Sequence, residues 1–450
     1  MDDRDALMAL RPPRAVLAIA ERLERAGYET WCVGGAVRDA LLGHQHLDWD
    51  LATAATPEQV RGLFGQRRTI PVGIEFGTVG VLDDDRRMHE VTTFRRDVRT
   101  DGRHAEVEFG VSLDDDLARR DFTINAMAYS PRREVLHDPF GGRADLKRGL
   151  VRAVGDPDAR MREDRLRALR AIRFASRFDF EIEPGTWRAI VASAPHLTRL
   201  SPERVKQELE KTMEQVRRPS RALRRWVDAG ALQVLVPSLA TLRDDTIRAL
   251  DCMAMPGLAR RPNRRVHRLA MLFADVPAGD VHAALSALRC SKLEIGWIGT
   301  LVERCQQVGG AIEQALSHDD APGDAQVRRW VATIGRLHLG GVMRMLSARW
   351  RVAHDAGRAA PPATAVRALY RRMLRSAFRD PVDLRDLAID GDDLRRAGIP
   401  PGPAMGKILH ALLDWVLDDP ARNAPGTLVA RAAELRGTLQ PGGDAPQRGG

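Results

Sequence analysis

The stretch Cys32-Val33-Gly34-Gly35-Ala36-Val37-Arg38-Asp39, with Leu41-Leu42-Gly43 and then Asp48-Trp49-Asp50 behind it, decides how the chain is read. Residues 28–33 are rich in β-formers and predict a strand, and Gly34-Gly35 turns the chain into a short helix over 36–42, closed by Gly43. A diglycine turn lets the backbone approach a phosphate where a Cβ would block it. The amides around Gly35 and the side chain of Arg38 then fall near a helix start, where hydrogen bonds and dipole both favour an anion. An ordinary tight turn would use the same residues. A second strand, predicted over 47–53, bears Asp48 and Asp50. Residues two apart on a strand share a face, and two carboxylates on one face suit a hard divalent cation. A phosphate cradle beside metal-binding carboxylates is the minimal equipment for nucleotidyl transfer.

Working outward, residues 13–26 place Val16, Leu17, Ile19, Ala20 and Leu23 at helical spacing. On the other side, Thr56-Pro57-Glu58 starts a helix running to about 64, with Thr56 as cap and Pro57 in the first position. Three β-like stretches follow at 68–72, 77–82 and 88–94. Glu90 lies in the last, and a neighbouring strand would bring it beside the aspartate pair as a third carboxylate; on its own it reads as a solvated strand residue. Residues 96–112 show weak periodicity and are expected to form a mobile loop. A helix from 114 leads into Arg119-Arg120-Asp121-Phe122-Thr123-Ile124-Asn125-Ala126, and Asp138-Pro139-Phe140-Gly141-Gly142 predicts a turn of fixed shape.

From 158 onward the pattern is almost entirely helical. Residues 161–178 read as one helix, with Ala168, Ala171, Ile172 and Ala175 forming its apolar side. Asp164 and Arg167 lie along one edge; Arg170 and Arg173 wind to the far side. Asp and Arg at i, i+3 can present a paired acceptor and donor to a base edge, and the other arginines can face triphosphate or RNA. A solvated charged face has the same pattern. Ser201-Pro202-Glu203-Arg204-Val205 starts a further helix with Ser201 as its cap. The basic run 260–268 suits either RNA or solvent, and the Gly/Pro-rich residues from 440 on are expected to be disordered.

At 450 residues the chain is too long for one core, and 44% hydrophobic with 29% charged residues fits a soluble multidomain protein. The net charge of +9, nearly all from Arg, favours a polyanionic partner, although a GC-rich coding sequence gives the same bias. Cys32, Cys252, Cys290 and Cys305 lack zinc-ligand spacing and read as reduced, mostly buried residues. The acidic N-terminus has no signal-peptide pattern, and no apolar run is long enough to span a membrane, so a cytoplasmic enzyme is expected.

Five blocks, in order, resemble the class II CCA-adding tRNA nucleotidyltransferases of the tRNA nucleotidyltransferase/poly(A) polymerase family. They are Gly34-Gly35-Ala36-Val37-Arg38-Asp39 with Asp48-x-Asp50; Arg119-Arg120-Asp121-Phe122-Thr123-x-Asn125-Ala126; Asp138-Pro139-Phe140-Gly141-Gly142; Glu163-Asp164-x-x-Arg167-x-x-Arg170-x-x-Arg173-Phe174; and Pro202-Glu203-Arg204-Val205. The resemblance is strong over 28–215 and looser over 380–436. It implies an α+β architecture: a nucleotidyltransferase head with a mixed β-sheet and helices (1–155), then an all-helical neck for nucleotide selection (156–215), an RNA-binding body (216–335) and a tRNA-binding tail (336–436), with a disordered end (437–450). It also implies that Asp48 and Asp50 bind two Mg²⁺ ions with Glu90 beside them. Gly35, Arg38 and Arg120 would contact the incoming nucleotide. Asp164 and Arg167 would read the base of CTP and then ATP, and Arg170 and Arg173 would support phosphates or that protein template. The loop at 96–112 would take part in the switch from CTP to ATP.

The implied partners are the tRNA 3′ end, CTP and ATP, with no membrane and no obligate protein partner. Bacterial poly(A) polymerases usually carry a basic C-terminal extension, whereas 437–450 holds only Arg448 as a basic residue. Asp101-Gly102-Arg103 retains part of the loop that CC-adding enzymes lack. Full CCA addition is therefore expected, with poly(A) polymerase or sole A addition as the enzymatic alternatives and a non-catalytic RNA-binding protein as the different-class one. His267 to Asp275 holds no adjacent His-Asp pair, and His318-Asp319 and His354-Asp355 lack a His-rich context, so no metal-dependent phosphohydrolase activity is expected.

Overall fold

The computed structural model describes residues 8–44, 48–100, 105–253, 264–317 and 321–439. The chain forms two compact units, Met1–Ala240 and Thr241–Gly450. Residues 216–240 fall within the first of these units.

The first unit opens with α1 (Arg14–Arg25), which buries Val16, Ile19, Ala20 and Leu23. Strand β1 (Thr30–Val33) is buried along its whole length, as its β-branched and aromatic residues demand. The glycine turn leads into α2 (Gly35–Leu41), and β2 (Asp50–Thr53) follows. Helix α3 (Pro57–Phe64) starts with a capping box in which Thr56 and Gln59 satisfy each other's backbone amides. Strands β3 (Thr69–Gly73), β4 (Thr78–Leu82) and β5 (Met88–Thr93) come next, and β8 (Ala128–Ser130) and β9 (Val135–His137) complete the sheet. Its order is β3-β4-β5-β2-β1-β8-β9. Only β2 and β5 pair in parallel; the other neighbours are antiparallel. The head is thus the mixed sheet that was expected, although the short β8–β9 hairpin had not been anticipated.

Two further differences concern the site. Residues 96–112, expected as a loop, instead include the antiparallel ribbon β6 (Arg95–Thr100) and β7 (Ala105–Phe109). Cross-strand charge pairs such as Arg96–Glu108 (2.7 Å) take the place of apolar alternation, which hides the strand signal. Asp101-Gly102-Arg103 lies outside the described residues. The helix expected over 161–178 is two helices, α6 (Pro157–Glu163) and α7 (Leu166–Phe178), after α4 (Leu113–Ala118) and α5 (Gly142–Arg148). Asp164 breaks them apart: its backbone is extended (φ −144°, ψ 104°) and its Oδ1 accepts from the Leu166 amide at 3.0 Å. Asp side chains compete with the helical ladder in this way. Helices α8 (Pro184–Ser193), α9 (Pro202–Gln215), α10 (Pro219–Asp228) and α11 (Ala231–Leu235) finish the unit. Pro202 takes the first turn of α9 as expected, but Ser201 makes no side-chain cap bond.

The second unit is helical: α12 (Asp244–Cys252), α13 (Arg264–Leu272), α14 (Ala278–Ala287), α15 (Lys292–Ser317), α16 (Asp324–Ile334), α17 (Leu339–Asp355), α18 (Ala363–Arg379), α19 (Gly391–Arg396), α20 (Pro403–Asp418) and α21 (Pro425–Leu439). Residues 437–439 belong to α21, and 440–450 lie outside the described residues, as do 254–263 and 318–320. Arg268, read as part of a surface run, is fully buried on α13, which packs against α15. Helix α18 carries Arg367, Arg371, Arg372, Arg375 and Arg379 with no carboxylate, and Phe378 near its end is largely exposed. Among the described residues, no helix is long and apolar enough to cross a membrane. Cys32 and Cys305 are buried, and all four cysteines are free.

Candidate active site

The sheet register assembles the acidic part of the site. Val33 pairs with Asp50 across β1 and β2, so Asp50 sits where β1 gives way to the glycine turn. The parallel pairing of Leu51 with Val91 brings β5 alongside, and the charge of Glu90 bears directly on Asp50. Strand β2 begins at Asp50 rather than at 47. Asp48 precedes it, and Leu47 is outside the described residues. The alternation still holds: Trp49 is buried, Asp48 exposed and Asp50 half-buried.

Burial, and then the charges of Glu90 and Asp48, push the Asp50 carboxyl up to about 6 against the pull of Arg120. Three crowded carboxylates, one of them largely buried, form a centre that a cation would relieve. Among the described residues, no group of three His, Cys, Asp or Glu is close enough to hold an ion by itself. Mg²⁺ usually takes one or two protein carboxylates and completes its shell with water and substrate phosphates, so a pair of carboxylates is enough for it.

Beside the acidic centre lies a cleft of about 400 Å³, lined by Gly34, Gly35, Arg38, Arg119, Arg120, Asp121, Asn125, Asp164, Arg167, Arg170 and Phe174. Gly34, not Gly35, carries the unusual backbone, with φ at +73°, and a Cβ there would meet the Arg120 guanidinium at 2.9 Å. Arg120 reaches the cleft because Asp116, at the end of α4, anchors it at 3.0 Å. Burial alone would raise the Asp116 carboxyl, but Arg120 and Arg119 beside it hold it below the usual range. The Nε of Arg120 is buried with no protein partner among the described residues, an orphan donor of the kind that a ligand satisfies.

Arg38 is buried and held in place. Its Nε donates to Asp39 at 2.7 Å, its Nη1 donates to Asn125, and its guanidinium lies 5.0 Å from the Phe174 ring and 4.8 Å from Phe178. Arg170 donates to Asp121 at 2.8 and 2.7 Å. Asp121 in turn accepts from Asn125 at 2.8 Å, so one network links the Arg119–Asn125 segment to α2 and α7. Asp164 accepts from Arg204 of α9 at 2.7 Å. Arg167 donates to Glu163 at 2.7 Å and to the Arg119 carbonyl at 2.9 Å.

The structure therefore brings Gly35, Arg38, Arg120, Asp164, Arg167 and Arg170 to one cleft, with Asp50 and Glu90 on adjoining strands and Asp48 just ahead of β2. It does not bring Arg173 there. That side chain is buried, its Nε donating to buried Glu208 at 2.7 Å and its Nη1 to Gln215 at 3.3 Å. The sequence reading gave no role to Asp116, Asn125, Phe174, Arg204 or Glu208. The i, i+4 spacing of Asp116 and Arg120 was a usable signal; no local pattern links Arg204 to Asp164, forty positions apart. Gly142 supports the site from behind. It is packed so tightly on the Thr123 carbonyl that no Cβ would fit, and Asp138 accepts from its amide at 2.7 Å.

Residues 30–152 match the family model described as the poly A polymerase head domain, and 179–242 match the probable RNA and SrmB-binding site of polymerase A. The CCA-adding enzyme of Geobacillus kaustophilus is 35% identical over 437 residues, which is 95% of this chain and 99% of that protein. The CCA-adding enzyme of Limosilactobacillus fermentum is 35% identical over 431 residues, 94% of this chain and 96% of that one. The crystal structure of the Bacillus stearothermophilus CCA-adding enzyme in complex with CTP superposes with a TM-score of 0.75 at 31% identity, covering 95% of this chain and 99% of that one. With the acidic strand pair, the arginine-lined cleft and near full-length similarity all in agreement, the chain belongs to the class II CCA-adding tRNA nucleotidyltransferase family.

Proposed function

We propose that the protein adds C, C and A, in that order and without a nucleic-acid template, to the 3′ end of tRNA, using CTP and ATP. The observation that carries this reading is the adjacency of the Asp48/Asp50 pair to a cleft that offers arginines to a triphosphate and Asp164 with Arg167 to a base. Asp48 and Asp50 would hold Mg²⁺, taken here as two ions, and Glu90 adds negative charge beside them. When bound, Mg²⁺ makes the RNA 3′-hydroxyl more acidic and neutralises charge at the α-phosphate and the leaving pyrophosphate. Arg120 and Arg38 attract the triphosphate, and Gly34-Gly35 leaves room for it against the backbone. Asp164 accepts from the base amino group and Arg167 donates to the base edge, selecting C and A. Arg170 and Asp121 keep the cleft wall in register. Arg173 acts behind that wall through Glu208.

The division into head (1–155), neck (156–215), body (216–335) and tail (336–436), with the last two gripping tRNA, is part of the same proposal. So is action in the cytoplasm.

The experiment is one gel. Purified protein, Mg²⁺, CTP and ATP are incubated with tRNA lacking its CCA end and, separately, with a generic RNA. Extension of the tRNA by three nucleotides supports the reading. Addition of A to a tRNA ending in CC, with no addition of C to tRNA lacking its CCA end, assigns sole A addition; long tails on generic RNA assign poly(A) synthesis, and no extension of any of these RNAs refutes catalysis. Asp50→Asn is expected to abolish incorporation while the circular dichroism spectrum stays unchanged.

A further inference from the structure

We propose that the open face of the sheet beside Glu90, where Ile70, Val72 and Met88 meet around Gly80, seats the unpaired 3′-terminal nucleoside of the RNA, and that it holds this nucleoside by apolar contact without regard to its base. The inference rests on nucleotidyl transfer to RNA, as set out under Proposed function, and gives the second substrate a place that the nucleotide cleft does not supply.

The sheet register puts these residues beside the acidic centre. Gly80 of β4 pairs with Glu90 of β5 on one side and with Ile70 of β3 on the other, so the three form one row on one face. The parallel pairing of Leu51 with Val91 extends that row to Asp50. A glycine inside a strand forfeits side-chain packing and marks a close approach. Here the approach is made by its neighbours. A Cβ on Gly80 would lie 2.6 Å from the Met88 sulfur and 3.0 Å from Val72 Cγ2, so those two side chains close over β4 from both sides. Val79, Val81 and Val91 are buried on the opposite face. Ile70, Val72 and Met88 are instead 40%, 44% and 42% exposed. Large apolar side chains left open together mark a binding surface.

The position of this surface suits the attacking end. The described lining of the nucleotide cleft comes from the glycine turn, α2, the Arg119–Asn125 segment, Asp164 and α7, and includes no residue of β3, β4 or β5. The strand order β3-β4-β5-β2-β1 places the carboxylates of β2 and β5 between that cleft, which opens where β1 ends, and the apolar face. Displacement at phosphorus runs in line, with the attacking 3′ oxygen entering opposite the leaving pyrophosphate. With the triphosphate drawn to Arg38 and Arg120, the oxygen enters from the side of β5 and β4, and the nucleoside that carries it rests on Met88 and Val72. The chemistry of the surface suits an end that changes. Under the proposed reading the terminal nucleoside is a different one as addition proceeds. Polar groups set to the edge of one base reject the next, and the side chains of Ile70, Val72 and Met88 hold no such group. Every base has a flat face to bury, and an unbranched methionine adapts to each.

Two measurements on the full-length protein test this. In the first, tRNA lacking its CCA end and carrying 4-thiouridine as its 3′-terminal nucleoside is irradiated with the wild-type protein, and the adducts are mapped by mass spectrometry. Adducts on β3 or β5 are expected; adducts that touch neither strand overturn the proposal. No turnover is needed, so a wild type that extends no RNA fails the proposed activity while the crosslink still decides this inference. In the second, Val72→Thr/Met88→Ser is compared with wild type and with Met88→Leu, which keeps an apolar side chain. The double variant should raise KM for tRNA roughly tenfold, the loss of about 50 Å² of apolar contact, and by the same factor for acceptors ending before the first C, after one C and after two. KM for CTP should stay at the wild-type value, and Met88→Leu should behave as wild type. A wild-type KM for tRNA in the double variant overturns the proposal, as does an equal rise in KM for CTP, the mark of a merely loosened sheet. If the double variant does not fold, the crosslink alone decides.

Discussion

Replacing Glu208 by Gln should unsettle the first unit without touching the nucleotide. Glu208 is 1% exposed and its partner Arg173 is 4% exposed at the side chain, with 2.7 Å between Nε and Oε2. Burial lowers the pKa of Arg173, and the Glu208 charge beside it opposes that effect only in part. Taking away one member of a buried pair leaves the other charge uncompensated, at about 3–5 kcal/mol. The Gln215 oxygen at 3.3 Å remains, and glutamine still offers a carbonyl, so the loss should fall near about 3 kcal/mol. With a urea m-value of about 2–3 kcal/mol/M, the midpoint of the first unfolding transition drops by roughly 1–1.5 M. The double variant Arg173→Met/Glu208→Leu replaces the ions with apolar volume and should return to within about 1 kcal/mol of wild type. Its affinity for ATP, measured by calorimetry, should match wild type within about threefold, because Arg173 is absent from the cleft lining. A shift below about 0.5 kcal/mol for the single variant, or a stable double variant that no longer binds ATP, would refute the reasoning and return Arg173 to the phosphates.

Three other expectations can be tested independently. Gly34→Ala forces a side chain into φ +73°, ψ −130° and against Arg120, at about 1–3 kcal/mol; melting temperature and ATP affinity should both fall, and unchanged affinity would remove Arg120 from nucleotide binding. Burial tends to raise the Asp121 carboxyl, but Arg170, then Asn125, bring it below its ordinary value of 3.8. Its contribution is thus fully present above about pH 4 and disappears as pH falls through the lower folded value, so Asp121→Asn should be less stable than wild type at pH 7, with the gap closing in acid. Parallel melting curves at the two pH values would contradict this. Helix α18 presents Arg371 and Arg375 on an exposed face with no acidic neighbour on the helix; Arg371→Glu with Arg375→Glu should weaken tRNA binding and reduce its salt slope by roughly one for each phosphate no longer neutralised, and an unaltered slope would exclude this face from RNA.

The local signals proved reliable where short-range chemistry dictates the outcome. Proline and threonine at 56–57 start α3 within the expected bounds, and the buried β-formers of 30–33 form β1. They failed where a side chain overrides the pattern. Asp164 takes the Leu166 amide and splits a helix that periodicity had made continuous, and the charged alternation of 95–109 hides a ribbon.

By itself, the sequence determined the α+β division, the glycine turn, the carboxylates at 48 and 50, and the ordered blocks that place the chain in its family. All of these depend on residue type and spacing along the chain. The tertiary structure decided which of those residues share a site. The β1–β2 register sets Asp50 beside the glycine turn, the parallel β2–β5 register carries Glu90 alongside, and Arg204 reaches Asp164 from another helix. It also withdrew Arg173 into a buried pair with Glu208. The physical reason is the same in each case: an ion pair or strand pairing between residues distant in the chain leaves no periodic trace in sequence, and an arginine is written the same way whether it faces a triphosphate or a buried carboxylate.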